Sequence, residues 1–217
     1  MSTTVQDRPV IDRPDVVAVV VAEQATRDAA AQDALAADTV AGWQVGLWPD
    51  GLVSRSCFVS TDGRSVLTYA QWSSYAAIAA SWPDMSGDRV GVAAGAPYEL
   101  YRRVLGGAVR DPEPVPECFP AATFPMANAE AARNWIDGLL AQEEANEGAN
   151  REYPGALAAN FHVSVDGTSV FLLSEWASEA EAVAHIEEVI APLLAQLGTP
   201  DPGARYRHFR TLARSGR

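Results

Sequence analysis

The chain has no lysine: all sixteen basic residues among its 217 are arginines. This excludes a Schiff-base lysine, a P-loop lysine and any lysine-dependent phosphate site. Net charge is −12, and an acidic chain without a basic stripe is a poor match for nucleic acid. Only Arg205 to Arg217 is basic, with five arginines, and it reads as a solvated strand and tail. Cysteine is scarce. Cys57 and Cys118 stand at non-equivalent places, which favours buried or free thiols over a disulfide, and no metal-ligand spacing is present. No apolar run reaches the roughly 18 residues of a membrane span; the longest, Val16 to Ala22, is strand-sized. The opening stretch "MSTTVQDRPVIDRPD" lacks the basic patch and apolar core of a signal peptide. Residues 1–14 are therefore read as a flexible leader, and the protein as cytoplasmic with no membrane partner.

What the chain does contain, it contains twice. Ser60-Thr61-Asp62-Gly63 returns as Ser164-Val165-Asp166-Gly167, Ser65-Val66 as Ser169-Val170, Trp72 as Trp176, and Ser74 as Ser178. "APYELYRRV" (Ala96–Val104) is echoed by "ARYRHFRTL" (Ala204–Leu212), each with Tyr-x-x-aromatic-Arg. Between the copies, Gly106 to Glu117 carries a Pro-x-Pro-x-Pro alternation that favours an extended spacer. The expected organisation is a leader over 1–14, a first domain over 15–105, a Pro-rich linker over 106–117 and a second domain over 118–213.

Each copy reads as strand, helix, strand, strand, helix, strand. In the first, Val16–Val21 is β-branched, "ATRDAAAQDALAAD" is helical, and Leu52–Ser60 and Ser65–Trp72 flank an Asp-Gly turn, a strong hairpin signal. A short helix follows from Ser74, and Tyr98–Val104 closes the unit. In the second, Phe119–Phe124 is the first strand, Asn128 caps a helix, and Phe161–Val165 with Val170–Trp176 forms the hairpin. Ser178 and Glu181 form a capping box ahead of an apolar stripe through Val183, Ile186, Ile190, Leu193 and Leu197. The closing strand is Tyr206–Leu212. A βαββαβ unit is the ferredoxin-like split fold, with helices on one sheet face and the other face bare. The fold class is accordingly α+β: tandem ferredoxin-like βαββαβ units forming an intrachain α+β barrel, as a monomer with an internal pseudo-dimer or a homodimer of it.

The segment "SxDGxSVxxYAQWxS" resembles the antibiotic-biosynthesis monooxygenase family of the dimeric α+β barrel superfamily, and the resemblance extends over both copies. It implies oxidation of an aromatic polyketide, of anthrone or phenol type, by dioxygen without flavin, metal or other cofactor. It leaves two alternatives on the same fold, a polyketide cyclase and a non-catalytic ligand-binding barrel; other relatives degrade haem. In the family an Asn, a Trp, a Tyr and an Arg line the space between sheet and helices. Trp72 matches the Trp. The Asn position, four residues earlier, is Thr68 in copy one and Leu172 in copy two, and only Thr68 can donate a hydrogen bond. The family's helical Tyr is replaced by Ile78 or Ala182, with Tyr75 nearby.

Thr68 and Trp72 share a strand face and are the candidate catalytic residues, which places the pocket in copy one. Tyr69, Tyr75, Arg89, Tyr98, Arg102 and Trp176 are the candidates for substrate binding, Tyr98 and Arg102 as a pair able to orient a phenolate. The expected partners are a small aromatic substrate and dioxygen. The histidines, His162, His185 and His208, all fall in copy two. At 100° per residue His185 lies about 120° from the apolar stripe of its helix, so it is read as flanking or facing solvent, and no metal site is expected.

Overall fold

The computed structural model describes residues 3–85, 97–109, 114–147, 153–196 and 203–214. They form two compact units, residues 1–99 with 206–217 and residues 100–205. Unit 1 holds β1 (Thr3–Gln6), β2 (Ala18–Ala25), α1 (Ala29–Val45), β3 (Leu52–Ser60), β4 (Ser65–Trp72) and α2 (Tyr75–Met85), with the start of β5 (Tyr98–Leu105). Unit 2 holds the rest of β5, then β6 (Phe119–Pro125), α3 (Ala129–Glu147), β7 (Ala156–Ser164), β8 (Ser169–Trp176), α4 (Glu179–His185), a π-helical turn (Ile186–Ile190) and α5 (Ala191–Gln196). The last strand, β9 (Ala204–Arg214), contributes its residues from Tyr206 onward to unit 1. The architecture is α+β and ferredoxin-like, with antiparallel sheets. No described helix is long and apolar enough to cross a membrane.

The repeated Ser-x-Asp-Gly sequence is a self-satisfied hairpin turn. Ser60 Oγ donates to Asp62 at 2.6 Å and accepts from the N–H groups of Arg64 and Ser65, at 3.0 and 2.8 Å. Ser164 Oγ donates to Asp166 at 2.7 Å and accepts from Ser169 N–H at 2.9 Å. The serine thus pairs backbone donors that the turn would leave unmet. Gly63 and Gly167 sit at φ +76° and +75°, the left-handed region that favours glycine. Helix starts follow the expected caps: Asn128 accepts from Ala131 N–H at 2.9 Å and Ser178 from Glu181 N–H at 3.3 Å.

Three expectations change. The supposed leader is partly a strand: β1 pairs with β9 from Thr3↔Arg214 to Gln6↔Thr211, and Ile11 is buried. The β-branched run Thr3-Thr4-Val5 favours this, and β9 offers it an edge. The closing strands are exchanged between the copies. In unit 1 the order is β1-β9-β3-β4-β2, with β2 touching β5 at Val19↔Tyr98, so the strand beside β3 comes from the end of the chain. In unit 2 the order is β5-β7-β8-β6. The linker is anchored at both ends within unit 2. The N–H groups of Gly106 and Ala108 donate to Leu157 and Ala156 carbonyls at 2.9 and 3.0 Å, and Glu117 N–H donates to Trp176 O at 2.9 Å. Residues 110–113 lie outside the described residues.

Candidate functional site

The registers of the two hairpins reveal where the copies differ in bulk. Leu52 pairs with Trp72 in one, and Ala156 with Trp176 in the other; Arg55 pairs with Ala70, and its counterpart Ala159 with Ser174. On the following helices Ile78 corresponds to Ala182. At each of these three positions unit 1 carries a large side chain and unit 2 an alanine. Removing that volume from a close-packed interior leaves a void wherever the walls do not collapse.

Unit 2 keeps the void, a cavity of about 100 Å³ beneath its helices. Ala158, Ala159, Leu172 and Ser174 line it from the sheet; Leu139 and Leu140 line it from α3, and Ile186 and Ile190 from the π turn. Trp176, His185 and Tyr153 add an aromatic wall. The His185 ring centroid lies 4.3 Å from that of Tyr153 and 4.9 Å from that of Trp176. Trp176 Nε1–H donates to Ser174 Oγ at 3.2 Å, and the Ser174 hydroxyl donates to Pro120 O at 3.4 Å, so the indole is fixed in orientation. His185 Nδ1 is buried and has no hydrogen-bond partner among the described residues. Burial pushes the His185 imidazole down to about 4, which keeps it neutral at pH 7.

The π turn explains how a residue read as flanking the apolar stripe or facing solvent comes to line a cavity. Pro192 in α5 cannot donate a backbone hydrogen bond, and in an α-helix its ring would strike the carbonyl of Glu188. The chain widens by one residue just before it, with Ala191 N–H bonding to Ile186 O. A π turn shifts the angular phase of everything on either side of it. The regular 100° step therefore misplaces His185 relative to Ile186 and Ile190.

In unit 1 the corresponding side chains among the described residues pack against one another. Trp72 is fully buried among Ala18, Val20, Leu52 and Ile78. The Arg55 guanidinium lies 5.7 Å from the ring centroids of both Trp43 and Trp48, a cation–π arrangement. Burial lowers its pKa to about 10, still cationic at pH 7.

Of the candidate site residues that are described, Trp176 alone lines the cavity. Trp72, expected to line a pocket in copy one, lies in packed core among the described residues, and the cavity described above lies in unit 2. Thr68 donates its hydroxyl to Ala22 O across the β2–β4 pair at 3.3 Å, and Tyr69 is buried in the unit 1 core. Tyr75 is at the surface, its hydroxyl donating to Glu99, and partial burial with that carboxylate raises its pKa. Tyr98 is buried beside Val19. Arg102 is exposed, bonded to Asp137 Oδ1 at 3.2 Å and stacked 4.6 Å over the Tyr101 ring. Arg89 lies outside the described residues. Sequence reading missed His185, Ser174 and Tyr153. The signal it could have used is the replacement of Leu52 and Arg55 by Ala156 and Ala159 in copy two.

No protein-family model matches the chain, and no curated protein matches it. Solved structures do. An anthrone oxidase-like protein is 14% identical over 94% of this chain and 95% of its own, with a TM-score of 0.67. A candidate monooxygenase from Fusobacterium nucleatum subsp. nucleatum is 11% identical over 93% of this chain and 96% of its own, with a TM-score of 0.50. At these identities the likeness establishes a shared fold: the chain has the ferredoxin-like fold found in monooxygenase-like proteins.

Proposed function

We propose that the protein is a cofactor-independent, monooxygenase-like enzyme that oxidises an electron-rich aromatic compound with dioxygen, and that the substrate sits in the cavity of unit 2. The observation that carries this reading is the apolar cavity of about 100 Å³ walled by Trp176, His185 and Tyr153. It is aromatic and lined by few polar groups, the kind of environment in which a deprotonated arene can pass an electron to dioxygen with little competing solvent. The stoichiometry needs no external reductant. A phenol with a free para position takes one oxygen atom and becomes the para-quinone; the other oxygen leaves as water with the two hydrogens lost. An anthrone methylene becomes a carbonyl by the same balance. The similarity in fold to an anthrone oxidase-like protein supports the reading.

The test is dioxygen uptake by the purified protein with a panel of phenols, 2-naphthol and anthrone, set against an Ala159→Arg variant. Arginine at this position copies the residue that unit 1 carries at the corresponding place, Arg55. Uptake should be substrate-dependent and fall at least tenfold in the variant, since a filled cavity removes both orientation and water exclusion. Binding of the aromatic without uptake above background would leave the ligand-binding alternative in its place.

A further inference from the structure

The lining of the cavity narrows what it can hold. An apolar cavity on the order of 150 Å³ accommodates benzene, so this partly open cavity of about 100 Å³ takes in one aromatic ring and leaves any fused rings at its mouth. No arginine is among the lining residues, whereas the carboxylate-bearing Glu143 is, an arrangement that selects against phosphate and carboxylate ligands. The polar groups on the aromatic wall are not equivalent. Ser174 Oγ already accepts from Trp176 and donates to Pro120. His185 Nδ1 has no partner among the described residues although it is buried, and a buried polar nitrogen left unmet is destabilising. That deficit is removed by any ligand that brings a donor.

We infer that the cavity binds a single hydroxylated aromatic ring whose O–H donates to His185 Nδ1, with the ring packed among Leu139, Leu172, Ile186 and Ile190. This rests on the proposed siting of the substrate in unit 2 and specifies its class: a neutral hydroxyarene head, not an anion and not a plain hydrocarbon. Burial keeps the imidazole neutral at pH 7, and in the tautomer with its proton on Nε2, the one this contact requires, Nδ1 is an acceptor.

The experiment titrates the full-length protein with three probes of similar shape: 4-methylphenol, 4-methylanisole and p-xylene. Affinity is read by calorimetry, and the His185 ring nitrogens by nitrogen-15 NMR. The expected result is that 4-methylphenol binds about tenfold more tightly than either other probe, the worth of one buried hydrogen bond. The Nδ1 resonance of His185 should move from the unprotonated position on binding. In His185→Phe the preference should vanish while p-xylene still binds. Equal affinities for the three probes, or a proton on Nδ1 of the free protein, would overturn the contact and leave the cavity as the binding site. Unchanged 4-methylphenol affinity in Ala159→Arg, or no binding of any probe, would overturn the siting in unit 2 and this inference with it.

Discussion

A histidine sealed inside a protein resists protonation, and that resistance is a pH-dependent contribution to stability. His162 is fully buried on β7, its Nδ1–H donating to Phe171 O at 3.2 Å, and burial takes it down to about 4. The unfolded chain binds a proton near pH 6.5, so between 6.5 and 4 it holds more protons than the folded state, and stability falls as pH falls. Below about 4 both states are protonated and this loss stops. The shift corresponds to about 3 kcal/mol for His162, with His185 and His208, also depressed to about 4 by burial, acting in the same direction. Asp62 and Asp166 are held below the usual carboxylate range, chiefly by hydrogen bonds from Ser60 and Ser164. Their contribution persists above the ordinary carboxylate pKa and is lost only as pH drops through their lowered values. Urea midpoints measured from pH 7 to 4 should therefore decline across the histidine window, and His162→Gln should flatten that slope. An unchanged slope in the variant would exclude His162 as a source. At this scale the sequence was a partial guide. Repetition marked Trp72 and Trp176 as equivalent, but their roles diverge because Leu52 and Ile78 crowd one, and Ala156 and Ala159 leave room beside the other. That difference belongs to neighbours brought together by strand register, which a reading of one strand at a time does not contain.

Elements were more legible, since caps and turns are local. Asn128, Ser178 and the two Asp-Gly hairpins stand where composition placed them, because each is closed by hydrogen bonds within about five residues. The glycines of these elements make opposite predictions. A Cβ on Gly167 would come within 2.4 Å of Ala129 N at the start of α3, on a backbone already at positive φ. Gly138, inside α3, has open space where a Cβ would go. Gly167→Ala should destabilise the protein by about 1–3 kcal/mol, and Gly138→Ala should stabilise it by roughly 0.5–1 kcal/mol. Thermal unfolding of the two variants checks both signs; equal shifts would mean that neither backbone argument holds. The π turn is the element that sequence periodicity missed. Pro192 was visible, but its effect is to widen the preceding turn rather than end the helix, and the resulting change of phase is what carries His185 to the cavity.

For the chain as a whole, duplication suggests two self-contained halves, yet the folding units do not follow the copies. β9 lies beside β3 in seven pairs running from Ser54↔Ala213 to Ser60↔Tyr206. Its side chains are built into unit 1: Ser56 Oγ and Thr211 Oγ1 are 2.8 Å apart, Tyr206 donates to Glu23 at 2.7 Å, and Leu212 and Ala213 are buried. This exchange is not legible in the residues themselves, because Tyr98–Leu105 and Ala204–Arg214 resemble one another and either could serve as the partner of β3. What chooses between them is which strand reaches that edge, a property of the whole chain. Shortening the protein to residues 1–205 should therefore unfold the unit at the opposite end of the sequence. With β9 gone, β1 and β3 both lose a partner strand, and the apolar surface of Tyr206, Leu212 and Ala213 no longer covers the unit 1 core. Backbone amides of β1 and β3 should lose hydrogen-exchange protection by at least a hundredfold, while those of β7 and β8 keep theirs, since the strands flanking them remain in the truncated chain. Full protection of β3 in residues 1–205 would show that the first copy closes its own sheet.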